Sequence, residues 1–135
     1  KSLDDLVAPY RAMAEMDPSN TEARMQVAII YARHGLYRAA EREFDAILEI
    51  NPDDSAVYNN RGNIYFGKQD YERAIESYAY AEQLASNDAG VKMNLSMAHY
   101  KLADLQMANS KYKEARKIDD SVNKKYASFI KLLSQ

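Results

Sequence analysis

Written in rows of 34, the chain stacks Tyr10, Phe44, Tyr78 and Tyr112 in one column. With 11 tyrosines and 3 phenylalanines among 135 residues, four aromatics in a preselected column arise by chance about once in ten thousand. Other columns keep the same register. Ala40, Ala74 and Ala108 fall below Leu6; Tyr31 and Tyr65 are followed by His99 and Leu133; Met13 and Ile47 are followed by Ala81 and Ala115. Pro18 and Pro52 also share a column, each after an Asp or Asn at a turn, and Ser86 and Asp120 hold that slot later. A period of this length is one supersecondary unit that cannot bury its apolar face alone, so stacked neighbours supply the core and the end helices need a wettable outer side.

Breakers fall between the periodic runs. Gly35 ends one helical run, and Asp70 before Tyr71 caps the start of another. Ser19 with Glu22 has capping-box spacing, and Pro52, Asp53, Asp54 and Ser55 form a turn into the next helix. Alanine at the crossing columns lets paired helix axes approach to the short end of the range of about 8 to 10 Å. The size and the 47% hydrophobic, 28% charged composition suit one compact domain and argue against disorder.

These columns resemble the tetratricopeptide repeat over essentially the whole chain. That resemblance implies an all-α, right-handed superhelical solenoid of antiparallel helix pairs, with about seven helices in a single domain at 1–135. Residues 1–20 read as an N-terminal helix of a partial repeat. Repeat 1 spans 21–54, repeat 2 spans 55–88, repeat 3 spans 89–122, and a C-terminal capping helix spans 121–135. Repeat 2 is the closest copy, with Tyr58, Gly62 and Tyr65 on its first helix and Tyr71, Ala74, Tyr78 and Ala81 on its second; Arg61 replaces the usual leucine. Arg24 stands where a large aromatic is common, and Lys92, Ser96 and His99 make repeat 3 the most divergent.

In the family, positions 2, 5, 9 and 12 of each first helix line a concave surface. Here they read Glu22, Met25, Ile29 and Ala32, then Ala56, Asn59, Asn63 and Phe66, then Gly90, Met93, Met97 and Tyr100, with Asn60 and Asn94 beside them. The resemblance therefore implies an apolar groove with asparagines at its middle. An amide side chain both donates and accepts, which suits the backbone of an extended peptide, while methionine and aromatics take its side chains. Methionines at this spacing also suit plain packing, so Met25, Met93 and Met97 have both readings. A carboxylate clamp starting at Thr21 reads Met25, Ile29, Asn60, Gly90 and Asn94, which matches only at Asn60. Starting at Ser55 it reads Asn59, Asn63, Asn94, Lys124 and Ser128 and matches at Asn63, Asn94 and Lys124, but lacks the first lysine and the arginine, so a chaperone tail is not the expected ligand.

Formal net charge is −2, but its distribution is uneven: nine basic face sixteen acidic residues over 1–91, and nine face four over 92–135. Lys111, Lys113, Arg116, Lys117, Lys124 and Lys125 form a basic run. Most such runs are solvated faces. No nucleic-acid motif accompanies this one. Cysteine is absent, which excludes disulfides, thiolate metal sites and Cys nucleophiles. His34 and His99 lie in no metal-ligand spacing, and no phosphate-binding loop or nucleophile elbow occurs. Asp53-Asp54 and Asp119-Asp120 sit at turns and read as caps, and the glycosylation triplet at Asn94 falls inside a helix. No apolar run reaches the roughly 18 residues that span a bilayer, and no signal-peptide pattern is present. The chain as given reads as soluble, with cytoplasm and periplasm both open; beginning at Lys1, it reads as a processed form or an excerpt.

The expected function is a non-catalytic scaffold, without cofactor or metal, that binds a peptide or helix of a partner protein in its groove. Two alternatives stand beside it. The charge asymmetry suits a head-to-tail homo-oligomer, and the repeats also suit an accessory region of a larger enzyme.

Overall fold

A computed structural model describes all 135 residues and is built from helices. They are α1 (Leu3–Met16), α2 (Thr21–Arg33), α3 (Tyr37–Ile50), α4 (Ser55–Gly67), α5 (Tyr71–Leu84), α6 (Ala89–Lys101), α7 (Leu105–Ile118), α8 (Val122–Lys125) and α9 (Ala127–Leu133). The first helices α2, α4 and α6 have 13 residues each, and the second helices α1, α3, α5 and α7 have 14. Two compact units, residues 1–57 and 58–135, are taken in turn.

The repeat is written into the helix ends as firmly as into the core. Asn20, Asp54 and Asp88 share a column, and their side chains accept from the backbone N–H groups of Ala23, Ala56 and Val91. Each thereby satisfies one of the donors that a helix start leaves open. The expected capping box at Ser19 and Glu22 does not form. The Ser19 hydroxyl instead donates to Asp17 at 2.6 Å, which leaves the cap to Asn20, whereas a reciprocal box does form between Ser2 and Asp5.

Gly35, Gln69 and Ala103 occupy one column, and all three adopt left-handed backbone, with φ of 74°, 64° and 60°. The following N–H of Leu36, Asp70 and Asp104 reaches back to the carbonyl of Tyr31, Tyr65 and His99, a Schellman-type closure of the first helix. Asp70 and Asp104 then cap α5 and α7 through their side chains, while Leu36 offers α3 no such bond.

In the first unit α1 packs on α2 and α2 on α3, around Ala28, Ala40, Phe44 and Ile47, all without accessible surface. In the second, Ala74, Tyr78, Ala81, Val91, Leu95 and Ala98 form one cluster between α5 and α6. Gly62 of α4 lies against Tyr78, whose ring fills the space a Cβ on Gly62 would occupy. One repeat later the Ser96 hydroxyl donates 2.6 Å to the carbonyl of Ala108, so the two crossing columns touch directly. Met93, Ala115 and Val122 form a further cluster, joined by Tyr112, Tyr126 and Phe129.

The terminal cap differs from expectation. In place of one helix, the chain leaves helical geometry at Tyr126 (φ −112°, ψ 28°), giving α8 and α9 and nine helices in all. Val122 at the start of α8 and Tyr126 at its C-cap sit on the cluster, and α9, beginning at Ala127, adds Phe129 to it.

Two substitutions check this packing by urea denaturation. Gly62→Ala should cost about 1–3 kcal/mol, because a methyl against the buried Tyr78 ring outweighs the gain in helix propensity. Ala103→Gly should stabilise by up to about 1 kcal/mol, because glycine takes the left-handed conformation without a Cβ penalty.

Candidate functional site

Asn59 and Asn63 lie on one face of α4, and Asn94 lies on α6. The Asn94 Nδ2 donates to Asn59 Oδ1 at 2.9 Å, and the Tyr78 hydroxyl donates to Asn63 Oδ1 at 2.7 Å. Burial pushes the Tyr78 phenol above its ordinary pKa, so it remains a protonated donor at neutral pH. Asn59 and Asn94 are half-buried and Asn63 is exposed. Their orientation comes from neighbours in the second unit, since one partner is the adjacent first helix and the other is the core tyrosine of α5.

The remaining sequence-derived residues divide by burial. Met25, in the first unit, is 8% exposed and Met93 is fully buried, so both belong to packing; Met97 on α6 and Ile29 on α2 are half-buried. Phe66 and Tyr100 are half-buried and held edge-on by Tyr71 and Phe129, with ring centroids 5.2 and 5.5 Å apart. Asn60 is half-buried on α4, and Lys124 is exposed on α8. Part of the basic run is tied down: Lys111 bonds Glu82, Arg116 lies over Tyr112 and Lys125 over Tyr126. His34 Nδ1 donates to the Ile30 carbonyl at its helix end, and His99 stands 3.4 Å from Asp104. No group of three His, Cys, Asp or Glu side chains is placed to hold a metal, and no helix is long and apolar enough to cross a membrane.

Sequence reasoning missed a part-buried ion network around Lys92. Lys92, 8% exposed, sets its Nζ 2.7 Å from Glu82 and 2.8 Å from Glu114, and Lys111 reaches Glu82 at 2.9 Å. Burial by itself would lower the Lys92 pKa, but hydrogen bonds and charge from Glu114 and Glu82 outweigh it and hold the ammonium above its ordinary range. Burial likewise acts to raise Glu82, and its bonds from Lys92 and Lys111 overcome that; Glu114 is lowered chiefly by its bond from Lys92. The signal lay in paired columns. Tyr58 and Tyr80 hold these two positions one repeat earlier and meet as an edge-to-face pair with centroids 4.5 Å apart. Lysine in the first column is thus answered by glutamate in the second. Arg24, in the same first column, turns instead to Glu43 at 3.4 Å, which also bonds Arg11 at 3.1 Å, and its Nε stays buried without a partner.

Helix pairs of fixed length, crossing at small residues and capped in a constant register, define a helical-repeat scaffold, a class that works through the exposed sides of its helices. The chain belongs to the tetratricopeptide repeat family, whose profile matches residues 7–55 and 25–89, more than half of its length. It is 27% identical over 118 residues to BBSome complex member BBS4 of Xenopus tropicalis, covering 87% of this chain and 23% of that protein. It is 23% identical over 109 residues to the TPR repeat-containing protein YpiA of Bacillus subtilis, covering 81% and 25%. The chain therefore spans about a quarter of the length of these relatives. Among solved structures, MamA is similar at TM-score 0.70 and 18% identity, over 92% of this chain and 72% of that one. Pseudomonas aeruginosa PilF is similar at TM-score 0.70 and 22% identity, over 84% and 52%. These two likenesses concern the fold. Proteins of the family are generally non-catalytic scaffolds for protein–protein interaction.

The ion network sets a pH dependence. Because the Glu82 and Glu114 pKa values are lowered on folding, their contribution is fully present above the unfolded value of about 4.3, declines below it, and is lost as pH falls through the lowered folded values. The urea midpoint of the protein should therefore drop below about pH 4.5, and Glu82→Gln with Glu114→Gln should flatten that acid limb. At pH 7, Lys92→Ala should cost about 1–3 kcal/mol, because Glu114 and Glu82 each lose a charge-assisted hydrogen bond while Lys111 stays on Glu82.

Proposed function

We propose that the chain is a protein-interaction scaffold without a catalytic centre, and that its second unit holds an extended segment of a partner protein along the asparagine face of α4 and α6. The observation that carries this reading is the Asn59–Asn94 amide pair. Once Asn59 Oδ1 has accepted from Asn94, a donor remains on Asn59 and an acceptor on Asn94, the two groups that a peptide unit answers. Asn63, held through its oxygen by Tyr78, keeps a further donor on the same helix. Side chains already fixed by neighbours lose little freedom on binding, which favours recognition of a flexible ligand.

Half-buried Phe66, Met97 and Tyr100 offer apolar contacts beside these amides, and exposed Lys124 suits an acidic residue of the ligand. The clamp lacks its first lysine and its arginine, so a ligand recognised through backbone and apolar side chains fits better than one recognised through a terminal carboxylate. Likeness to a member of the BBSome complex supports a role in holding partner proteins.

Peptides selected on the wild-type chain by display provide the test. Asn63→Ala combined with Asn94→Ala should weaken their binding at least about tenfold, by loss of two hydrogen-bonding groups, with the circular dichroism spectrum unchanged. Unaltered affinity in that variant would remove the asparagine face from the account.

A further inference from the structure

In the second unit, charge is divided between the two kinds of helix. The first helices α4 and α6, with α8 and α9 in the same role, hold no Asp or Glu; the carboxylates lie on α5 and α7, as Glu72, Glu76, Glu82 and Glu114, and in the turns. Three cations of these helices are engaged: Arg61 lies over the Tyr58 ring, Lys125 lies over Tyr126, and Lys92 bonds Glu82 and Glu114. Lys101, Lys124 and Lys131 remain, all exposed and in no ion pair. Their placement follows the helical period. Met97 and Lys101 stand one turn apart on α6, in the columns of the exposed Asn63 and Gly67 of α4. Lys131 continues the column of Asn63 and Met97, and Lys124 stands two turns before it. The Tyr126 N–H donates to the Val122 carbonyl and the Ile130 N–H to the Tyr126 carbonyl, which carries the turns through the break between α8 and α9. On α6 this stripe stays open although the helix packs against α5 and α7 and sets Tyr100 on Phe129 of α9, so its exposure belongs to the repeat.

We infer that this stripe reads an acidic segment of the partner protein, whose backbone lies on the asparagines and whose side-chain carboxylates meet Lys101, Lys124 and Lys131. The inference rests on the reading of an extended segment along the asparagine face, and adds what that segment is made of. Charge complementarity selects the occupant. Three unpaired ammonium groups on helices without a carboxylate of their own attract anions and repel basic segments. Asp104, the carboxylate nearest Lys101 along the chain, is occupied as the cap of α7 and beside His99. Lysine is a flexible point charge, so aspartate and glutamate serve alike. Geometry sets where they fall. Neighbouring helices about 10 Å apart put α9 about 20 Å from α4, a span of about six extended residues. The segment therefore has an uncharged half over Asn63 and Met97 and carries its acidic residues at the end toward α9.

Random peptide segments displayed on phage and selected on the 135-residue chain supply the probes, and one selected peptide is then synthesised and titrated. Asp and Glu should be enriched toward one end of the selected segments. Lys101→Gln combined with Lys124→Gln and Lys131→Gln should weaken the peptide roughly tenfold, with the circular dichroism spectrum unchanged. Raising salt from about 50 to about 500 mM should weaken binding to the wild type and leave the triple variant nearly indifferent. Glutamate at the same three positions should turn selection toward Lys and Arg. Binders without acidic enrichment, whose affinity ignores the lysine changes, would overturn the inference; if they still lose affinity with Asn63→Ala and Asn94→Ala, the asparagine face stands without it. Acidic binders that need the lysines but ignore the asparagine changes would keep the acidic site and remove the asparagine face. No binders at all would remove both. Equal binding of a scrambled acidic peptide or of single-stranded DNA would reduce the stripe to general anion attraction and overturn the inference. Salt-sensitive self-association that the triple variant abolishes would assign the lysines to a second copy and overturn the partner segment.

Discussion

The ring of Tyr78 stands where Gly62 would carry a side chain, and much of this fold follows from that approach. A helix pair can bury a large aromatic only if the facing helix presents almost nothing at the crossing. The chain meets that condition with Ala28, Gly62 and Ser96 on the first helices and Ala40, Ala74 and Ala108 on the second. Close crossing also exposes backbone to backbone, and repeat 3 uses this directly when Ser96 bonds the Ala108 carbonyl. The tyrosine so fixed has a second consequence, because its hydroxyl holds Asn63. Packing inside the pair thereby sets the orientation of a polar side chain on its surface.

Around that crossing the repeats tolerate different chemistry in the same place. One slot is filled by the Tyr58–Tyr80 edge-to-face pair in repeat 2 and by the Lys92–Glu114 ion pair in repeat 3, with Glu82 and Lys111 completing the latter. Aromatic rings bring burial and few demands; buried charges hold together only if every partner is present, since each was taken out of water. Arg24 shows the less complete solution, with a longer bond to Glu43 and an unpartnered Nε. Alternation of such solutions along a repeat chain distinguishes otherwise equivalent units and disfavours slipped pairings.

The fold was legible because its determinants are local and recur. The aromatic and alanine columns, Gly35 and Asp70 each announced the position they occupy. Less visible were features that depend on a partner elsewhere in the chain. Lys92 read as a departure from pattern until Glu82 and Glu114 supplied its reason, and Gln69 and Ala103 gave no hint of left-handed backbone except their register with Gly35. Ser19 and Glu22 had the right spacing for a cap, but Asp17 took the hydroxyl. For the candidate site the sequence proposed Asn59, Asn63 and Asn94, and the structure shows the Asn59–Asn94 and Tyr78–Asn63 bonds; it also assigned Met93 to the core, a distinction that helical spacing cannot make.

The central claim is that side-chain amides held in place by the fold meet the backbone of a partner. Side-chain Nδ2 resonances of ¹⁵N-asparagine-labelled protein, followed while a display-selected peptide is titrated in, test it most directly. The account predicts saturable shifts at Asn59, Asn63 and Asn94 with the same midpoint as overall binding. Binding that leaves those three resonances in place while shifting others would contradict it.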